Sequence, residues 1–255
     1  MKLFAENILL ADGWQKNKTL TIEHGIIQKI DDGKSPDAER AHGPVIPGMV
    51  NCHSHAFQRA FAGFSEQGSE GKDSFWTWRK VMYDFLGSLT VEQAEVIATQ
   101  LYIEMLKAGY TRVAEFHYLH HQADGKPHSS LAAMSNALFS AADSSGIGLT
   151  LLPVMYQYSG FGQQKPNEGQ RRFINDTAQF NQLVTDCFEL SEQYSNTNVG
   201  IAPHSLRATD LDGIKTAVDH ARSHDSKAPV HIHISEQQKE VEDCLSHYRK
   251  RPAQW

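Results

Sequence analysis

From Val45 onward the chain alternates short apolar runs with helical periods, and this alternation restricts the possible folds more than any other feature. Apolar runs at 45–51, 111–116, 147–155, 198–203 and 229–234 read as strands. Helical periods follow them at 91–108, 130–143, 173–194, 211–223 and 237–249. The clearest begins at Val91, where Thr90 and Gln93 suit a capping box, and Gly109 is a fitting stop. Ala94, Ile97, Leu101 and Met105 form its apolar face. Repeated strand-then-helix units imply a parallel sheet, and strands this apolar are buried on both faces. The expected fold class is α/β, a TIM-like (β/α)8 barrel in which the first five βα units are present and the C-terminal strands are missing. An open five-stranded sheet is the other option, but it would leave the fifth strand as a long apolar edge.

Residues 1–44 follow a different rule. Ile8-Leu9-Leu10, Leu20-Thr21-Ile22 and Ile26–Ile30 are short strand candidates, separated by turns at Asp12-Gly13 and His24-Gly25. They form a small β unit, and residues 45–255 form the partial barrel. The Gly-containing stretches 62–74 and 157–171 read as loops.

The chemistry is concentrated at strand ends. His53 and His55 close the first strand at i and i+2, so both imidazoles point the same way and can reach one divalent metal. The run Ala228–Glu236 is a second strand ending in His and an acid. His233 supplies a third imidazole, which suits a zinc-like ion. Glu236 supplies a carboxylate able to move protons beside that ion. In a barrel, the C-terminal strand ends carry the site. By that rule the first strand also offers Gln58 and Arg59, the second Glu115, His117 and Tyr118, and the fourth His204 and Arg207. Tyr156, at the end of the third, has no assigned role. The bland alternatives are a structural histidine for His204, a surface residue for Arg207 and a cap on the aromatic cluster Phe75-Trp76-Thr77-Trp78 for Arg79. His117, His120 and His121 read mostly as solvated loop residues. His231 sits one pleat deeper than His233, and Cys52 faces away from the histidine pair.

Composition removes several classes of function. The net charge is −6 with no Lys/Arg stripe, which argues against nucleic acid as a partner. Three dispersed cysteines, Cys52, Cys187 and Cys244, read as reduced thiols of a cytoplasmic protein. No segment is long and apolar enough to span a membrane, and the start lacks a signal-peptide layout.

Taken together, these motifs resemble the amidohydrolase superfamily. The resemblance rests on Pro47-Gly48-Met49-Val50-Asn51-Cys52-His53-Ser54-His55 and on His231-Ile232-His233-Ile234-Ser235-Glu236. Four further segments resemble the formimidoylglutamate deiminases of histidine degradation: His55–Ala60, Phe75–Arg79, Ala114–His120 and Ala202–Arg207. The resemblance implies one divalent metal, zinc, held by His53, His55 and His233, with Glu236 as the catalytic acid-base. Gln58, Arg79, Tyr118, His204 and Arg207 would bind a small dianionic substrate, N-formimidoyl-L-glutamate, hydrolysed to N-formyl-L-glutamate and ammonia. It further implies a homodimer when intact, and a β unit that is half of a composite β-sandwich. The family pattern also needs a His on a sixth strand and an Asp on an eighth, both beyond Trp255. The 255-residue piece is therefore expected to be truncated and inactive alone. A deaminase of a purine or pyrimidine ring and a non-catalytic metal-binding fragment are the rival readings.

Overall fold

The computed structural model describes residues 1–64 and 75–254. Most of the loop expected at 62–74, and the Arg79 side chain, lie outside the described residues. The chain divides into two compact units, Met1–Met49 and Val50–Trp255.

In the first unit β1 (Lys2–Leu10), β2 (Gly13–Glu23), β3 (Ile26–Asp32) and β4 (Glu39–Arg40) form one sheet in the order β3-β2-β1-β4. The β2–β3 hairpin turns at His24 and Gly25, both left-handed at φ 50° and 76°. Two successive positive φ values match the right-handed twist of the flanking strands, which is why a glycine is needed there. Ala5, Ile8 and Leu20 make the small core. Val45 was expected to open the first barrel strand. Instead it pairs with β1: its N–H donates to Asn7 O and its carbonyl accepts from Leu9 N, each at 2.9 Å. Pro47 divides the apolar run, because it has no N–H to continue a ladder.

The second unit holds β5 (Met49–Ser54), β6 (Tyr110–His117), β7 (Gly148–Met155), β8 (Thr197–Val199) and β9 (Ala202–Pro203). The sheet runs β5-β6-β7-β8, and β9 also pairs with β7. The β6–β7, β7–β8 and β7–β9 pairings are parallel. Among the described residues six α-helices accompany the strands: α1 (Phe75–Leu86), α2 (Val91–Lys107), α3 (Ala133–Ser145), α4 (Thr177–Ser191), α5 (Leu211–His224) and α6 (Gln238–Tyr248). Both capping-box bonds between Thr90 and Gln93 start α2, and Gly109 ends it at φ 93°. The α1 helix was not anticipated from periodicity. Among the described residues no helix is long and apolar enough to cross a membrane.

Two expected strands are interrupted. The run 198–203 splits at Gly200, where a Cβ would lie 2.3 Å from Pro229 O. The run 229–234 makes only one parallel bridge, Ile201 to Val230, rather than a ladder. Its bonds are Ile201 N to Pro229 O, His231 N to Ile201 O and His233 N to His204 O, each 3.0 Å. Pro203 cannot donate, so the pairing skips it.

Strand alternation sorts the core into two layers. Val113, Leu149, Leu151 and Met155 pack with Tyr102, Phe139, Phe180 and Val184 from the helices. Ala114, Phe116, Tyr118, Leu152, Val154 and Tyr156 face the other way, with Met82, Phe173 and Ala202. This second face carries the candidate site.

Candidate active site

His53 and His55 leave the end of β5 on one side, as the period of two requires. The extended segment after Pro229 brings His233 to them. One ring nitrogen from each of His53, His55 and His233 lies within 4.8 Å of the others, and His53 Nε2 stands 3.1 Å from His233 Nε2. His55 Nδ1 sits 2.8 Å from Phe116 O. A carbonyl only accepts, so Nδ1 carries the proton and Nε2 keeps a free lone pair. Burial pushes the His55 imidazole down to about 3, helped by His233 and His53 and opposed by the bond to Phe116 O. Burial likewise takes His233 down to about 4, with His53 and Arg207 adding to the effect. His53 is lowered by burial and by His231. Three neutral, converging imidazoles suit a divalent ion that prefers nitrogen, which is the chemistry of zinc and its neighbours.

These rings open into a cavity of about 810 Å³, lined also by Gln58, Tyr118, Tyr156, His204, Arg207 and Glu236. The Gln58 amide donates to Tyr118 OH at 3.1 Å. Burial raises the Tyr118 phenol, which therefore stays protonated. Arg207 Nη1 donates to Tyr156 OH at 3.0 Å and to Ser159 O at 3.2 Å. His204 is buried, its Nδ1 lies 3.1 Å from Ser205 Oγ, and its ring is 5.0 Å from that of His233. Glu236 follows Ser235, whose φ of 57° is left-handed. The N–H groups of both residues donate to the buried Glu240 carboxylate, at 3.3 and 3.0 Å. That clamp holds the turn presenting Glu236 at the cavity.

Residues 45–252 match the sequence model of the amidohydrolase family. The chain belongs to the amidohydrolase family. Formimidoylglutamate deiminase from Pseudomonas aeruginosa is 49% identical over 255 residues, covering 99% of this chain and 55% of that protein. The crystal structure of an amidohydrolase from Brucella melitensis superposes with a TM-score of 0.93 at 47% identity, covering 100% of this chain and 56% of that one. An adenosine deaminase from Xanthomonas campestris, solved with bound zinc, shares the fold at a TM-score of 0.71 and 15% identity, over 99% of this chain and 53% of that one. The chain thus spans about half the length of the relatives it matches.

In this amidohydrolase chain the cavity gathers His53, His55, His233, Glu236, Gln58, Tyr118, His204 and Arg207, while the Arg79 side chain lies outside the described residues. Four other expectations are corrected. Glu115 and His117 do not join the cavity; they alternate with Phe116 and Tyr118 and face away from it. Arg59 is turned outward onto the Glu104 carboxylate, at 2.8 and 3.0 Å. His117, His120 and His121 are not solvated but buried, at 2%, 1% and 1% exposure. The N–H groups of His120 and His121 both donate to Arg172 O at 3.0 Å, which draws this segment inside. Burial holds His117 down at about 4, and a neutral imidazole is far cheaper to bury than a charged one.

Sequence reading missed the aromatic wall. The Phe116 ring lies face to face with His233, at 4.1 Å and 19°. Tyr156 takes hydrogen bonds from Arg207 and from the Gln170 amide. Alternation along β6 and β7 could have placed Phe116 and Tyr156 with Tyr118. Gln170 lies in a stretch read as a loop, and Phe173 opens the run read as helix, which in the structure begins only at Thr177.

If the three imidazoles are ligands, the protein is expected to bind about one zinc ion per chain. His53→Ala and His233→Ala should each lose that ion in metal analysis of dialysed protein. Full metal content in both variants would rule out the assignment.

Proposed function

We propose that this site hydrolyses the formimidoyl C=N bond of N-formimidoyl-L-glutamate, adding one water and releasing ammonia and N-formyl-L-glutamate. We also read the five βα units as the first five of a (β/α)8 barrel. The observation that carries the functional reading is Arg207, half-buried on the wall of the cavity that holds the three imidazoles. Tyr156 OH and Ser159 O accept from Nη1, so the guanidinium is oriented, and among the described residues its other donors are left for a ligand. A planar fork of this kind recognises a carboxylate in two-point fashion. Arg79 is the proposed second clamp. The 49% identity to a formimidoylglutamate deiminase supports the same substrate.

His53, His55 and His233 would hold a zinc-like ion, and that ion would supply a water acidified toward neutral pH. Glu236 would carry both water protons to the departing nitrogen in turn, the first as the oxygen adds to carbon and the second from the resulting hydroxyl as the C–N bond breaks and C=O forms, so that ammonia leaves rather than amide ion. Gln58, Tyr118 and His204 offer hydrogen bonds from the same cavity. The second reading, deamination of a purine or pyrimidine ring, draws on the aromatic wall of Trp78, Tyr83, Phe116, Tyr118, Tyr156 and Phe173. Ammonia release from N-formimidoyl-L-glutamate, measured beside adenosine and guanine, separates the two. Turnover of a purine with none of the amidine would overturn the proposal.

Arg207→Ala is expected to raise KM for the dianion, leaving metal content unchanged. Losing one partner of a desolvated ion pair costs about 2–5 kcal/mol. An analogue lacking the carboxylate that Arg207 meets should be affected far less. Equal losses for every analogue, in this variant and in Arg79→Ala, would reject the clamp.

A further inference from the structure

Glu115 is fully buried, at 0% exposure, on the face of β6 that turns away from the cavity. Burial pushes its carboxyl up to about 7, against the Ala56 N–H, Ser54 and Tyr102, which favour the charged form. An acid in such a place costs folding free energy that an apolar residue would not. Its main contact is specific: Ala56 N–H donates to Glu115 Oε1 at 2.5 Å. Ala56 directly follows His55 and opens the 3-10 turn Ala56–Phe61, for which His55 provides no side-chain cap. The first N–H groups of a helical turn have no partner within it, so this donor needs one from outside. The next residue of β6 completes the grip, since Phe116 O accepts a hydrogen bond from His55 Nδ1 at 2.8 Å. Two adjacent residues of β6 therefore hold His55, one through its ring and one through the main chain just after it.

We propose that Glu115 is a positioning residue for His55: by holding the Ala56 N–H it fixes the turn that aims His55 Nε2 at His53 and His233. The inference rests on the reading of those three histidines as metal ligands. Groups that orient a metal ligand typically contribute 10–100-fold in affinity.

The test is the dissociation constant for Zn2+ in the 255-residue protein, by competition with a chromogenic chelator, with folding followed by circular dichroism. Glu115→Gln keeps an acceptor of the same shape and should bind Zn2+ within about threefold of the parent. Glu115→Met removes the acceptor at similar volume. Ala56→Pro removes the donor at a position where proline suits a helical turn. Each should weaken binding about 10–100-fold while still folded. A purely structural role would lower the unfolding temperature and leave the affinity of the folded protein alone. Folded E115M or A56P binding within threefold of the parent would overturn the proposal, as would folded E115Q binding more than tenfold more weakly. If neither E115M nor A56P folds, E115Q decides on that same criterion. A parent that binds no Zn2+ overturns the metal reading itself, whereas a parent that binds alongside unaffected variants overturns only the role of Glu115.

Discussion

A version of this protein extended to the length of its relatives is expected to release ammonia from N-formimidoyl-L-glutamate faster than the 255-residue chain by about three orders of magnitude or more. The described residues bring the three clustered imidazoles, one acid and one guanidinium to the cavity. The family resemblance implies two more groups, a His and an Asp, on later strands. Members of a catalytic constellation act as a unit, so removing any one forfeits most of the rate. The sheet points the same way. Val230 and Ile234 are 37% and 43% exposed along the segment that carries His233, a liability that further strands would cover. The extended protein should therefore also be the more soluble. The two forms are compared in one ammonia assay, zinc-loaded and at equal concentration. Rates within about tenfold of each other would show that the residues present suffice.

In whichever form turns over, Glu236→Gln is expected to keep zinc and substrate but to lower kcat by about 10²–10⁴-fold, the usual contribution of a positioned acid-base group. Glutamine retains the size and the hydrogen-bonding shape of glutamate but cannot carry a proton from water to nitrogen. The turn that presents residue 236 is held through the main chain, by N–H groups of Ser235 and Glu236 donating to Glu240. Changing the 236 side chain leaves that clamp in place, so the loss can be assigned to proton transfer. Activity within about threefold of the parent across pH 6–9 would make Glu236 a structural acid. A loss of zinc in the same variant would instead make it a ligand.

The convergence of His53, His55 and His233 was legible before any coordinates. Two histidines two residues apart at the end of an apolar strand share a face whatever the fold, and a second apolar run ending in His233 and Glu236 repeats the signal. The βα alternation, the Thr90–Gln93 box and the Gly109 stop are equally local, because each depends on a few neighbouring residues. Which face of a strand turns inward is not local. Alternation groups Glu115 with His117 and Phe116 with Tyr118, but only packing against α2 on one side and the cavity on the other assigns the groups. For the same reason His117, His120 and His121, polar by composition, lie buried: β6 pairs His117 with Pro153 of β7, and Arg172, some fifty residues on, accepts the backbone bonds of His120 and His121. Val45 joined β1 because pairing partners are chosen across the chain, and Pro47 released it from β5. By itself the sequence determined a β-rich start followed by βα alternation, and the three histidines that converge on the cavity. The tertiary structure alone decided the aromatic wall, the Tyr156–Arg207 pair and the buried Glu115, since each is a contact between segments that no local period connects.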